Sequence, residues 1–470
     1  MRTTSLILFF MALVLAGPGC TKVGPDYQRP ELPLEIPSTY QHGRAKLTPP
    51  LTLSTRWWAL FRDPQLNRLV EDVIRRNLEI KASTEKVKEL VAELIIKRAD
   101  QFPLIRLEGA YERQKRPLIG IVPTKTFTTR TKYYTLALPA SYELDLWGRV
   151  KRAEEAALAR LLEAKESRLT ILQGIVAEAV ALYFEIKAIA KRLKVARARI
   201  KSYEEELAVL EKRYARGLAT LLDLTRTRRN LAKAKATLTS LRLELGVAQQ
   251  ELAVLAARYP HTQEPDQQEE IHFFLPTPVP PGLPSELLMQ RPDIRRAEAR
   301  LKALNAMVGV AKASRFPRIS LTGSFGYTSN ALRRLFEPTS ELWGLAAGIV
   351  QPIFDAGRLK ASQKVAEARY KQGVIDYAKT VLRAFREVEQ ALLAREELIK
   401  KRSQILDYLE QAALAEALAK SRYSRGLGDY LALLEARQRR YEAQEELILV
   451  ELAIVTNRVA LHRALGGAWE

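Results

Sequence analysis

The sequence predicts a mainly α fold with a β-barrel part that a single chain cannot complete. Three observations predict it. Two long proline-free stretches carry apolar residues at coiled-coil spacing. Four shorter stretches alternate apolar and polar residues. The whole plan then occurs twice along the chain. The repeat is clearest in two stretches, Arg213-Tyr214-Ala215-Arg216-Gly217-Leu218 and Arg422-Tyr423-Ser424-Arg425-Gly426-Leu427. Gly217 and Gly426 each sit between two helical runs. Each reads as the tip turn of a long helical hairpin, where glycine accepts the positive φ that ends a helix.

At the N-terminus, Arg2 precedes an apolar run from Leu6 to Ala16. The run is too short to span a bilayer as a helix but suits a signal-peptide core. Residues 1–19 are therefore expected to be a signal peptide. Cys20, the one cysteine in the chain, follows directly. This resembles a bacterial lipoprotein signal, with acylation of Cys20, although Gly17 and Pro18 depart from the usual lipobox. Thr21 in place of Asp after the cysteine implies sorting to the outer membrane. Residues 20–60 read as an extended segment, because Val23 to Pro50 is proline-rich and without period.

The first structural repeat is expected over residues 61–260, a linker over 261–290 and the second repeat over 291–470. Asp63 can cap a helix and Pro64 suits its first turn, so one helix is expected from there to about Asp100. Arg291-Pro292-Asp293-Ile294 opens its counterpart. Ala99-x-x-Phe102-Pro103-x-Ile105 matches Ala313-x-x-Phe316-Pro317-x-Ile319. Phe102, Pro103, Phe316, Pro317 and Pro352 thus mark strand–helix junctions.

After each Phe-Pro comes an alternating segment. Ile319, Leu321, Gly323, Phe325 and Tyr327 share one face; Tyr134, Leu136, Leu138, Ala140, Tyr142 and Leu144 share another. Leu104 to Arg113 and Trp343 to Phe354 are weaker versions. The period predicts half-buried strands, either of a soluble antiparallel sheet or of a transmembrane barrel. Four strands cannot close a membrane barrel, and a bilayer tolerates no open edge. Three chains would supply about twelve strands, enough for an open lumen.

No proline lies between Pro139 and Pro260, and none follows Pro352. In the first stretch Ile175, Ala179, Leu182, Ile186, Ile189, Leu193, Ala196, Ile200, Tyr203, Leu207, Leu210 and Tyr214 recur at steps of four and three. That is a heptad seam. A helix from Gly148 to Tyr214 would be about 100 Å long at about 1.5 Å per residue. A return helix is expected from Leu218 to Tyr259. The second half repeats the plan from Gly357 to Tyr423 and back through Leu465. An ordinary coiled-coil rod would show the same seam.

Composition narrows the function. Net charge is +21 and the pI about 9.9. No basic patch with stacking aromatics accompanies that charge, so no nucleic-acid partner is expected. His42, His261, His272 and His462 lack metal-ligand spacing. With one cysteine and no nucleophile–base motif, an enzyme is not expected, and neither is a metal or other cofactor. No phosphate loop of the Walker type occurs.

Taken in order, Cys20-x-x-Val23-Gly24-Pro25-Asp26-Tyr27-x-Arg29-Pro30, Trp57-Trp58-x-x-Phe61-x-Asp63-Pro64-x-Leu66 and Tyr142-Glu143-Leu144-Asp145-Leu146-Trp147-Gly148-Arg149 resemble the outer-membrane factor family of tripartite efflux systems. These are the TolC-like proteins, here in the NodT-type lipoprotein branch. The two R-Y-x-R-G-L turns, Arg291-Pro292-Asp293-Ile294-Arg295, Phe316-Pro317-Arg318-Ile319-Ser320-Leu321-Thr322-Gly323 and Gln351-Pro352-Ile353-Phe354-Asp355 extend the resemblance over nearly the whole chain.

The resemblance implies a homotrimer with a 12-stranded outer-membrane β-barrel, four strands per chain, continued by an α-helical coiled-coil barrel in the periplasm of a Gram-negative bacterium. It implies a passive conduit for drugs or other small solutes, anchored among outer-membrane lipids. Its partners would be a periplasmic adaptor protein and an inner-membrane pump. The hairpin tips would form the periplasmic gate. Asp223 and Tyr423 match family gate positions, Arg425 and Asp429 lie close by, and Gly428 stands where relatives often carry Asp or Arg. On the residues alone, Asp223 and Asp429 can equally be helix caps. The competing function is a periplasm-spanning coiled-coil structural or adaptor protein without a pore.

Overall fold

The computed structural model describes residues 22–31, 37, 39–42, 56–118, 127–263 and 290–467. The expected signal peptide, Cys20 and most of the 261–290 linker lie outside the described residues. The described chain forms α1 (Pro64–Arg76), α2 (Leu78–Ala99), β1 (Leu104–Ile105), β2 (Glu108–Leu118), β3 (Phe127–Leu144), α3 (Arg149–Ala215) and α4 (Leu221–Leu255). It continues with α5 (Pro292–Ala313), β4 (Arg318–Ser329), β5 (Glu341–Val350), α6 (Arg358–Ser424) and α7 (Tyr430–Ala464). The duplication is visible in length: α3 and α6 each have 67 residues, α4 and α7 each 35, α2 and α5 each 22.

The helix expected from Pro64 to Asp100 is two helices, α1 and α2. Asn77 leaves the helical region and caps α2, its Oδ1 accepting from the N–H of Glu79 at 2.9 Å and of Ile80 at 3.1 Å. Its Nδ2 donates to the carbonyl of Leu255 at 2.9 Å. Hydrophobic periodicity runs straight through this break, so the pattern could not reveal it. Asp63 caps α1 as expected, accepting from Gln65 N–H at 2.9 Å and Leu66 N–H at 3.2 Å. The same carboxylate also takes Tyr183 at 2.6 Å and Lys187 at 2.7 Å, tying α1 to α3.

Two compact units divide the chain, and each draws segments from both sequence repeats. One comprises residues 1–31, 86–165 and 296–377. It holds the sheet, ordered β1/β2–β3–β4–β5 and antiparallel throughout. β1 and β2 pair with β3 in one continuous register, Ile105 opposite Ala140 and Glu108 opposite Ala137. The gap between them faces Pro139. Its carbonyl accepts from Arg106 N–H at 3.0 Å, but it has no N–H to return. Four effective strands result, as expected, with β2 and β5 at the edges.

The register brings Leu138 opposite Phe325, and Phe325 opposite Trp343. This apolar face is uncovered within the chain: Phe325 is 47% exposed, Trp343 70% and Leu345 84%. In the single chain much of β3 and about half of β4 are half-buried, as expected, while β5 is exposed along its whole length. Among the described residues no layer of this unit covers the Phe325–Trp343–Leu345 face, as suits strands that lie in a bilayer.

The other unit comprises residues 32–85, 166–295 and 378–470. Its core joins Trp57, Trp58 and Phe61 to Leu66, Val70 and Val73 of α1 and to Val176, Val180 and Phe184 of α3. Trp57 to Phe61 form a short 3-10 turn that buries Trp57, Trp58 and Phe61, so the extended segment ends before them. Arg291, buried among carboxylates, donates to Asp293 at 2.7 Å, Glu387 at 2.8 Å and the carbonyl of Ala464 at 2.8 Å. It thereby ties the start of α5, the flank of α6 and the end of α7 together.

Candidate functional site

The two hairpin tips lie in this second unit and are built alike. α3 ends with Gly217 at φ +71°, whose N–H reaches the carbonyl of Tyr214 at 2.9 Å while Leu218 N–H reaches that of Arg213 at 2.9 Å. α6 ends with Gly426 at φ +74°, whose N–H reaches Tyr423 at 3.1 Å while Leu427 N–H reaches Arg422 at 2.9 Å. Both are glycine-terminated helix ends that satisfy the last carbonyls.

The return helices are capped by acids. Thr220 and Asp223 form a capping box. Asp223 N–H donates to Thr220 Oγ1 at 3.2 Å, and the Asp223 carboxylate accepts from Thr220 N–H at 3.2 Å and Oγ1 at 2.6 Å. Asp429 caps α7 through Leu431 N–H at 3.3 Å. Within one chain the structure thus gives Asp223 and Asp429 cap partners, and does not join Asp223 to Tyr423. Arg425 is exposed and has no side-chain partner among the described residues. Gly428 is closely packed: a Cβ there would lie 3.1 Å from Arg422 Cβ and 3.3 Å from Tyr423 N. Thr220→Ala is expected to destabilise the first turn of α4 by about 1 kcal/mol. Faster amide exchange confined to that turn is the readout.

Tyr423 is brought to a residue that the periodicity did not single out. Arg213 of α3 donates to the Tyr423 hydroxyl and lies 5.0 Å from the ring centroid. Tyr423 in turn packs on Tyr430, centroids 5.5 Å apart, and Tyr430 shares a 2.6 Å hydrogen bond with Thr227 of α4. Burial pushes the pKa of the Tyr430 hydroxyl up, so it stays a neutral partner. All four long helices meet in this chain of contacts.

A few turns further in, Arg437 of α7 bonds Glu206 of α3, and Glu416 of α6 at 2.9 Å; Arg440 bonds the same Glu416. The Arg437 side chain is 10% exposed, Glu206 12% and Glu416 14%. Burial, followed by the charge of Glu416, raises the pKa of Glu206 against the pull of Arg437. The signal was present in sequence. Arg437 interrupts the stripe of Tyr430, Leu434 and Tyr441, all buried. A seam that is apolar between α3 and α4, through Leu193, Ala196, Leu241 and Leu245, is thus ionic where α3 meets α7.

The junction residues fall at matching turns. Phe102 N–H closes on Ala99 at 3.0 Å and Phe316 N–H on Ala313 at 3.1 Å, ending α2 and α5 alike. Their surroundings differ: Phe102 is 70% exposed, whereas Phe316 stacks on Trp147 at 4.8 Å. Trp147 Nε1 donates to the carbonyl of Pro317 at 2.9 Å. Pro103 and Pro317 precede strands, and Pro352 follows β5, where its carbonyl accepts from Gln351 Nε2 at 3.1 Å. Asp145 and Asp355 accept from Lys151 N–H at 2.8 Å and Leu359 N–H at 2.9 Å, capping α3 and α6 in parallel. Among the described residues no cluster of His, Cys, Asp or Glu could hold a metal.

Comparison with known proteins gives one answer. Residues 69–258 and 283–467 match the family model for outer membrane efflux proteins. The toluene efflux pump outer membrane protein TtgI of Pseudomonas putida is 33% identical over 472 residues, covering 100% of this chain and 99% of that one. The probable outer membrane lipoprotein SilC of Salmonella typhimurium is 30% identical over 453 residues, 96% of each. The solved structure of the outer-membrane channel OprN superimposes with a TM-score of 0.86 at 28% identity, covering 95% of this chain and 99% of that one.

Proposed function

This chain belongs to the outer membrane efflux protein family, and on that premise we propose that three copies form a channel whose resting constriction is the pair of helical tips. It is an outer-membrane efflux channel rather than a rod, and the family is one of channel proteins rather than enzymes. The observation that carries the assembly is the sheet: its apolar face is uncovered and its edge strands β2 and β5 each lack one neighbour. In a bilayer both deficits are met if β5 of one copy pairs with the first strand of the next, giving about twelve strands and an open lumen.

The gate consists of Tyr423 with Arg213, the capped Asp223 and Asp429, and Arg425, free to meet a neighbouring copy. Leu218 is 69% exposed and Leu427 69% at the two tips. Such exposed leucines suit an apolar contact with a periplasmic adaptor, which would couple the channel to an inner-membrane pump. Cys20 supplies a lipid anchor. Lys22, two residues on, pairs with Glu155 near the start of α3, and the N–H of Val23 donates to the carbonyl of Trp147 at 3.1 Å. Relatives named for toluene and for cations support small solutes as the class carried.

The test is conductance in planar bilayers. Replacing Asp223 and Tyr423 together should raise single-channel conductance and sensitise cells to large antibiotics. Unchanged conductance in the double variant would remove the gate assignment and leave the fold intact.

A further inference from the structure

A second cationic site lies away from the tips, where α6 and α7 pack together at Asn457, whose Nδ2 donates to the carbonyl of Ala391 at 3.0 Å. Arg458 is 8% exposed. Its one partner among the described residues is a neutral ring: Arg458 Nε donates to His462 Nε2 at 3.0 Å. Burial, followed by the charge of Arg458, holds the His462 pKa down to about 3, so the imidazole is an acceptor there and not a second cation. Trp57 stacks on that imidazole at 5.1 Å and fixes its plane. Arg395 of α6 adds its own charge from close by: burial and then Arg395 push Arg458 down to about 10.

Arg458 is thus buried within the electrostatic reach of a second guanidinium, and among the described residues no carboxylate bonds either of them, a costly arrangement unless an anion completes it. The described acids nearby are engaged elsewhere. Glu387 serves Arg291, Glu389 accepts from Gln41 N–H, Glu396 and Glu397 serve Lys400, and Glu451 serves Arg402.

We infer that Arg458 and Arg395 bind an oxyanion supplied from outside the chain, either a carboxylate of a second copy of this protein or a free anion of the same chemistry. Guanidinium groups suit either source, because their forked donors match a carboxylate or an oxyanion. The carboxylate source rests on the trimeric reading above; the free-anion source does not.

The experiment uses the full-length protein in detergent as wild type, Arg458→Met and Arg395→Met. Dissociation of trimers on heating and unfolding of the monomer are followed in chloride and in sulfate at matched ionic strength. Weaker trimers in both variants, by roughly a hundredfold in dissociation constant for Arg458→Met and with no sulfate effect, identify a neighbour's carboxylate. A sulfate-dependent rise in wild-type stability that both variants lose identifies a free anion. Variants as stable as wild type, or more so, with no sulfate response overturn the inference. So does a loss confined to monomer stability, which would mean an acid of the same chain. If the wild type is a monomer, the trimeric reading fails, and the sulfate arm still decides this one. Arg395 is half-buried, so Arg395→Met keeps the test open should Arg458→Met not fold.

Discussion

Arg437→Met is expected to hold the channel open at neutral pH, raising conductance in planar bilayers, and to let it close again on mild acidification. The substitution removes the cation that Glu206 and Glu416 share; Glu416 keeps Arg440, and Glu206 is left as a buried carboxylate beside it. Stranding buried charge in this way costs about 3–5 kcal/mol, roughly a hundredfold or more in the closed-to-open ratio. The least costly relief is for α3, α6 and α7 to separate at the tip.

The pH dependence follows from Glu206. Burial already raises its pKa in the wild type, so its ionised form is a liability above that value, and the liability disappears as pH falls through it. Without Arg437 the pKa rises further, and protonation on acidification should remove the repulsion. Adding Glu206→Leu and Glu416→Leu should restore closure without acid, because a well-packed apolar replacement of a buried ionic cluster is often neutral or stabilising. An Arg437→Met trimer with wild-type conductance at every pH would refute a closing role for the Arg437–Glu206–Glu416 cluster.

Gly24→Val is expected to detach the N-terminal strap. Gly24 has φ +108°, and a Cβ there would lie 2.7 Å from the Cα of Gly309 in α5. Backbone meets backbone, so no side chain can swing aside. The strained φ and the overlap together should cost about 3 kcal/mol or more. The contacts held in register by this crossing would go with it. Arg152 donates to the Gly24 carbonyl at 3.2 Å and to Asp26 at 2.8 Å, and Asn305 donates to the Pro25 carbonyl at 2.9 Å. Rapid protease cleavage within residues 22–31 and a lower unfolding midpoint are the readouts. A strap as protected in Gly24→Val as in the wild type would contradict the close approach.

The sequence pattern reached a long way into this molecule, and its failures are specific. The heptad seam predicted α3 from Gly148 to Tyr214, and the helix runs from Arg149 to Ala215. Alternation located the strands, because register follows side-chain period. The hairpin turns were legible in Gly217 and Gly426, since only a left-handed residue ends a helix that way. Asn77 was not legible as a break, because its reach to the Leu255 carbonyl depends on a residue distant in sequence. The Arg213–Tyr423 contact was missed for the same reason: it crosses from the first repeat to the second.

By itself, then, the sequence determined the doubled plan, the lengths of the rods, the positions of the strands and the two tips. Each of these is written in local period and local turn chemistry. Only the tertiary structure decided that Arg213 meets Tyr423, that Arg437 is shared between two acids, and that Arg458 faces no acid of its own among the described residues. Those outcomes depend on which helix faces pack together, Arg437 and Glu206 being 231 residues apart and Arg213 and Tyr423 210, and distance in space is not encoded in period.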